Sequence, residues 1–159
     1  MATGGQSMLM ILAQEGAEVE PVLSAWQCSR SDASVLLLQQ EEGESITDFK
    51  RRLQLGLASV ESAGSAIERG AFVAKSGFGL PDVLATVALL SSLVAAMVAL
   101  GSGQVFLWGH AGDAQATTAL EALADAMRDQ VRGTGVDVVT EESPVVVRHG
   151  GRGSRISLV

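Results

Sequence analysis

Eighteen consecutive residues, Val83 to Leu100, carry no charge, no glycine and no proline. β-Strands rarely pass about ten residues, so this run is helical. It is then either the core helix of a soluble domain or a short membrane span. Its length sits at the lower limit for a hydrocarbon layer, which takes about 20 residues to cross. No Trp, Tyr, Lys or Arg stands at either end to anchor it at an interface. Gly101-Ser-Gly103 follows at once, and then the apolar run Gln104-Val-Phe-Leu-Trp108, as an αβ unit requires. The core helix is the favoured reading, with a single span through 83–100 as its alternative.

Small residues recur along this helix at Ala85, Ala88, Ser92, Ala95 and Ala99, spaced three and four apart. Leu84, Val87, Leu90, Val94, Met97 and Val98 form a second stripe. Only Thr86, Ser91 and Ser92 are offered to water, so the outer face needs a cover. The simplest cover is a second copy of the chain, which predicts a homodimer through 83–100. The other cover weighed is residues 1–33, folded back over the helix.

The same grammar extends to both sides of the run. Val35-Leu-Leu-Leu38 ends in the polar Gln39-Gln-Glu-Glu-Gly43 and suits a strand buried on both faces. Ser45, three before Asp48, opens a helix whose apolar face is Ile46, Phe49, Leu53, Leu57 and Val60, and Gly64 stops it. Ala71-Phe-Val-Ala74 is a second strand, and Pro81 and Asp82 lead into the central helix. Gln104–Trp108 is a third strand. Asp113 caps a helix marked by Ala116, Leu120, Leu123, Met127 and Val131, and Val136-Asp-Val-Val139 is a fourth strand. Strands joined by single helices pair in parallel, which predicts an α/β domain over 34–143. Its open, mainly parallel sheet has four strands (βαβαβαβ) and helices on its faces. Strand order is not readable. Residues 1–33, interrupted by Pro21 and Ser29-Arg-Ser-Asp32, read as an N-terminal extension packing through Leu9, Ile11, Leu23 and Trp26. Residues 144–159, with Arg148, His149, Arg152 and Arg155, read as a terminal strand, a hairpin or a basic tail.

Charge narrows the function classes. The chain of 159 residues has a net charge of −7 and 4% aromatic residues, so it lacks both the basic face and the stacking platforms that nucleic acids require. An anionic membrane surface is disfavoured for the same reason. Cys28 is the one cysteine, which excludes an internal disulfide and fits a reducing cytoplasm. No positively charged leader precedes the short apolar run Met8–Ala13. Two His and one Cys offer no metal-ligand spacing, and no cofactor is expected.

In an open parallel sheet, ligands bind at the carboxyl ends of the strands. The candidate ligand-binding residues there are Lys75, Ser76, Gly77, Gly109, His110, Gly112 and Asp113, on two glycine-rich loops that each lead into a helix N-terminus. His110 is the candidate for proton chemistry, with Asp113 three residues on to orient it. Neither loop has the P-loop or dinucleotide fingerprint, and Ser76 and Cys28 stand in no recognised nucleophile setting. Glu41, Glu42, Glu44, Asp82, Asp113, Glu141 and Glu142 crowd the same edge, so a phosphate there would need Mg²⁺. The bland reading is that these acids are caps and solvated loops.

Gly43-Glu-Ser45, Phe49, Gly64, Ala71-Phe-Val73, Gly103-Gln-Val-Phe-Leu107 and Gly133-Thr-Gly-Val-Asp-Val138 together resemble small uncharacterised α/β proteins of high-GC bacteria, a group that implies no activity. The layout is also loosely similar to universal stress proteins, whose Gly-x-x-Gly is followed by Gly-Ser/Thr for ATP. Gly109-His-Ala-Gly112 has no such second pair after it, so the resemblance does not extend to nucleotide binding. The expected function is a regulatory or interaction protein acting as a homodimer and through contact with a protein partner. The alternative is a small-molecule or nucleotide-binding protein or enzyme using the edge near His110.

Overall fold

The computed structural model describes residues 7–109 and 112–142. Five strands form one all-parallel sheet: β1 (Ser7–Ala13), β2 (Val35–Gln39), β3 (Ala66–Val73), β4 (Gly103–Gly109) and β5 (Val136–Glu142), in the order β2-β1-β3-β4-β5. The connecting helices are α1 (Glu20–Ala25), α2 (Ile46–Ser62), α3 (Val83–Leu100) and α4 (Ala114–Gln130). A 3-10 turn, Leu80–Asp82, leads into α3. This is the expected open parallel α/β sheet, with one strand more than the expected four.

The extra strand corrects the reading of residues 1–33. Ser7–Ala13 is an interior strand between β2 and β3, and Met10, Ile11, Leu12 and Ala13 are fully buried. Its Met/Leu-rich run carries little β-branching, so strand and helical turn look alike locally; the pairing partners on both sides decide. Pro21 lies in the first turn of α1, where its missing N–H costs nothing. The described part of the sheet therefore begins at residue 7 rather than at 34. The expected C-terminal hairpin or tail, 144–159, lies outside the described residues.

The connection β1–β2 runs across the sheet in the opposite sense to the other three. Crossovers of one hand then place α1 on one face and α2, α3 and α4 on the other. The cores follow this division. Phe49, Leu53, Leu89, Leu90, Leu93, Met97, Leu123 and Met127 pack with Met10, Leu12, Phe72, Val105 and Leu107. Val22 and Leu23 pack with Ile11, Ala13, Val35, Ala71, Val73 and Trp108. Of the residues expected to fold over α3, helix α1 thus lies on the opposite side of the sheet and Ser7–Ala13 within the sheet itself.

Helix α3 occupies the predicted bounds and is the crossover from β3 to β4. It lies so close to β3 that a Cβ on Gly70 would stand 2.7 Å from Leu93 Cδ2. Its buried residues are Thr86, Leu89, Leu90, Leu93, Val94 and Met97. Two expectations about its faces change. Thr86 is buried, and its hydroxyl donates to the Asp82 carbonyl at 2.8 Å. This back-bond to the preceding turn takes the place of water. Leu84 is 82% exposed rather than on the packed stripe, since nine residues before Leu93 it projects from the opposite side of the helix. Gly101, at φ +78°, ends the helix in the left-handed conformation that glycine adopts at little cost.

Candidate functional site

The carboxyl edge of the sheet was the expected binding edge, and the structure brings its two glycine-rich loops together. Asp113 Oδ1 accepts the Ala116 N–H at 3.0 Å and caps α4, while Oδ2 accepts the Gly77 N–H at 3.1 Å from the loop after β3. Ser76, Gly77 and Gly112 are exposed and Lys75 is half-buried. Gly109 is buried at the end of β4, where a Cβ would stand 3.1 Å from Leu120 Cδ2. His110 lies outside the described residues. Phe78 anchors the loop from below, fully buried with its ring centroid 5.8 Å from that of Phe72.

Strand order reverses direction between β1 and β3, the place where open α/β sheets leave a crevice. Here that crevice is stitched by side-chain amides. Gln14 Oε1 accepts the Lys75 N–H at 2.9 Å, while its backbone N–H donates to the Val73 carbonyl at 3.1 Å. Gln39 Nε2 donates to the carbonyls of Gln14 and Ala17 at 3.2 and 2.9 Å. Farther along the edge Glu44 and Arg52 form a two-pronged ion pair, Nε to Oε2 and Nη2 to Oε1, both 2.8 Å. Arg52 Nη2 also donates to the Gln39 carbonyl, and its guanidinium lies 5.3 Å from the Phe49 ring centroid. This hydrogen bond from Arg52, helped by the Glu41 N–H, holds the Glu44 carboxyl down at about 2. These polar groups brace loops. Sequence reading missed Gln14 and singled out Gln39 only as part of a loop, since an amide directly after a strand is its sole local signal.

Cys28 is half-buried. Burial, and then the Asp32 carboxylate, push its thiol up despite the opposing Arg69, which leaves it protonated and poorly nucleophilic. No family model matches the chain, and no curated protein matches it either.

The feature with the least structural employment is the outer face of α3. Leu84 and Leu100 are 82% and 59% exposed, and Ala85, Ala88, Ala95 and Ala99 are exposed between them. Among the described residues, Leu80–Leu100 is the one helical stretch long and apolar enough to cross a membrane by composition, and only 33% of its most apolar window is buried within the fold. The rim is polar: Gln54 Nε2 lies 3.4 Å from Ser92 Oγ, and Ser91 Oγ 3.1 Å from Gln130 Oε1. Beside it a groove of about 480 Å³ runs between α2 and α3, floored by Leu57, Ala58, Ala96 and Ala99 and closed by Leu100. Leu55, 66% exposed, belongs to the neighbouring α2.

Proposed function

We propose that this protein is a regulatory or interaction module whose working form is a homodimer joined through the outer face of α3. The observation that carries this reading is the uncharged strip from Leu84 to Leu100, exposed on the middle one of three helices and rimmed by glutamines. An apolar centre with a polar rim is the composition of a protein contact. The strip is also self-complementary. A two-fold axis beside Ser92 would lay the alanine row of one copy against that of the other, with the two helices antiparallel. Alanines between the two leucines let the helix axes approach to about 8 Å.

A second copy fits this face better than a bilayer does. The opposite side of the same helix carries Leu89, Leu90, Leu93, Val94 and Met97 into the core with β3 and β4, and insertion would strip them from the sheet.

Sedimentation of the wild-type chain and of Ala95→Glu tests the proposal. Ala95 is exposed, so a glutamate there leaves the monomer's core untouched. The expected result is a wild-type dimer and an Ala95→Glu monomer with unchanged circular dichroism. A wild-type monomer, a dimer that survives Ala95→Glu, or a chain extracted only by detergent would each overturn it.

A further inference from the structure

We infer that the free edge of β2 receives an extended segment of a partner protein as an added strand, apolar at alternate positions and flanked by basic residues. This edge lies at the end of the sheet, away from the outer face of α3, so the inference does not rest on the dimer.

An edge strand presents backbone groups that can pair with another chain, and proteins usually blunt such edges with charge, proline or a bulge. The two edges of this sheet differ in that respect. β5 carries Asp137, Glu141 and Glu142. β2 is Val35-Leu-Leu-Leu-Gln39, without charge or proline, and its register with β1 is unbroken. The Leu9 N–H donates to the Ser34 carbonyl and the Gln40 N–H to the Ala13 carbonyl, both at 2.9 Å, so the even-numbered residues here bond to β1. Alternation along a parallel ladder turns the backbone groups of Val35, Leu37 and Gln39 outward. The Val35 N–H donates to the Asp32 carbonyl, and the Gln39 carbonyl accepts from Arg52 Nη2. The Val35 carbonyl, both groups of Leu37 and the Gln39 N–H form no hydrogen bond among the described residues. These are the groups that an added strand pairs with.

Side chains beside the edge extend the apolar surface. Leu36 and Leu38 lie on the α2 side of the sheet and Leu37 on the α1 side, each half-buried. On α2 the row Arg52, Leu55 and Ser59, spaced three and four apart, stands over this edge, since Arg52 reaches the Gln39 carbonyl. Leu55 is 66% exposed in that row. Gly56 beside it sits close over β2, where a Cβ would stand 3.2 Å from Leu36 Cδ2. Apolar side chains of an added strand on that side would cover Leu55.

Charge selects the occupant. Glu41 and Glu42 follow the strand, exposed and paired with no cation among the described residues, and Asp32 precedes it. A second copy of β2, paired antiparallel about Leu37, would set Asp32 of each chain opposite Glu42 of the other, and like charges directly opposite destabilise a strand pair. A segment with Lys or Arg on either side of its apolar run meets the same acids favourably.

The test is backbone-amide NMR of the full chain, free and with the synthetic peptide Arg-Lys-Val-Thr-Val-Thr-Val-Lys-Arg. In the free chain the amides of Leu37 and Gln39 should exchange with solvent quickly and those of Leu36 and Leu38 slowly. Slow exchange at Leu37 and Gln39 would mean an edge already occupied and would overturn the inference. The peptide should shift Leu37 and Gln39 and slow their exchange, with α3 unmoved. Its counterpart with Glu and Asp in place of Arg and Lys should bind about tenfold more weakly, because exposed pairs turn from attraction to repulsion. Leu37→Pro removes the outward N–H without breaking the ladder to β1, and should abolish the response. Should that variant fail to fold, Glu41→Lys combined with Glu42→Lys, at exposed positions, should reverse the preference between the two peptides; an unchanged preference refutes the inference. So would no response at β2 with millimolar peptide, shifts confined to other faces, or equal binding of both peptides.

Discussion

Replacing Glu44 by Gln should cost about 1–1.5 kcal/mol of folding stability at neutral pH, with most of that loss reproduced as coupling to Arg52. The carboxyl accepts both prongs of the Arg52 guanidinium and the Glu41 N–H, and it is held at about 2 against an ordinary 4.5. At about 1.4 kcal/mol per pKa unit, that difference sets an upper bound of about 3.5 kcal/mol. The Glu44 side chain is 12% exposed but that of Arg52 is 34% exposed, so water screens the pair and the expected value falls below half the bound. Folding favours the charged form of Glu44. Its contribution is therefore complete above pH about 4.5 and fades as pH falls toward 2. The assay is urea unfolding of the wild type, Glu44→Gln, Arg52→Met and the double variant. Methionine keeps the stem of Arg52 packed on Phe49 while removing its charge. A coupling energy below about 0.3 kcal/mol at pH 7 would refute the argument, since exposed pairs reach that without any bracing role. So would parallel stability curves of wild type and Glu44→Gln as the solution is acidified.

Leu93→Ala removes a fully buried side chain from the contact between α3 and β3. It should cost about 2–5 kcal/mol by chemical denaturation. Gly135→Ala should prevent folding or lower the melting temperature sharply. Gly135 sits at φ +89°, and a Cβ there would collide with the Gly101 carbonyl across two neighbouring loops. Asp113→Ala removes the α4 cap and the bridge to Gly77. Its expected cost is about 1–2 kcal/mol, and a thermal scan matching the wild type would refute that bracing role. The proposed dimer joins two chains of net charge −7 through an uncharged face, so added salt should tighten it in sedimentation equilibrium; salt-induced dissociation would point to an ionic interface.

Much of the fold was legible because local chemistry and tertiary structure agree. The uncharged run ended by Gly101 yields helix bounds that the structure reproduces. Ser45 accepts the Asp48 N–H at 3.1 Å and Asp113 the Ala116 N–H at 3.0 Å, as caps placed before amphipathic faces should. Ala116, Leu120, Leu123, Met127 and Val131 are all buried, as their spacing requires. Strand β1 was illegible because Met8–Leu12 is apolar without a diagnostic period, and only β2 and β3 on either side make it a strand. At the edge, the sequence put the Lys75–Gly77 loop and Asp113 on the same side of the sheet but held no sign of the hydrogen bond between them. Asp113 braces Gly77, and the amides of Gln14 and Gln39 close the crevice.

The sequence alone determined that helices and parallel strands alternate here and that α3 is too apolar on every side for a helix bathed in water. Both follow from interactions within a few residues: periodicity, caps and glycine stops. Only the tertiary structure decided which stripe of α3 faces inward. The side with Leu89, Leu90, Leu93 and Met97 wins because β3 offers Gly70 as a close seat for Leu93, and the alanine stripe is left outside as a consequence. Strand order was equally a tertiary outcome, because parallel strands choose partners far away in sequence and no local pattern records the choice.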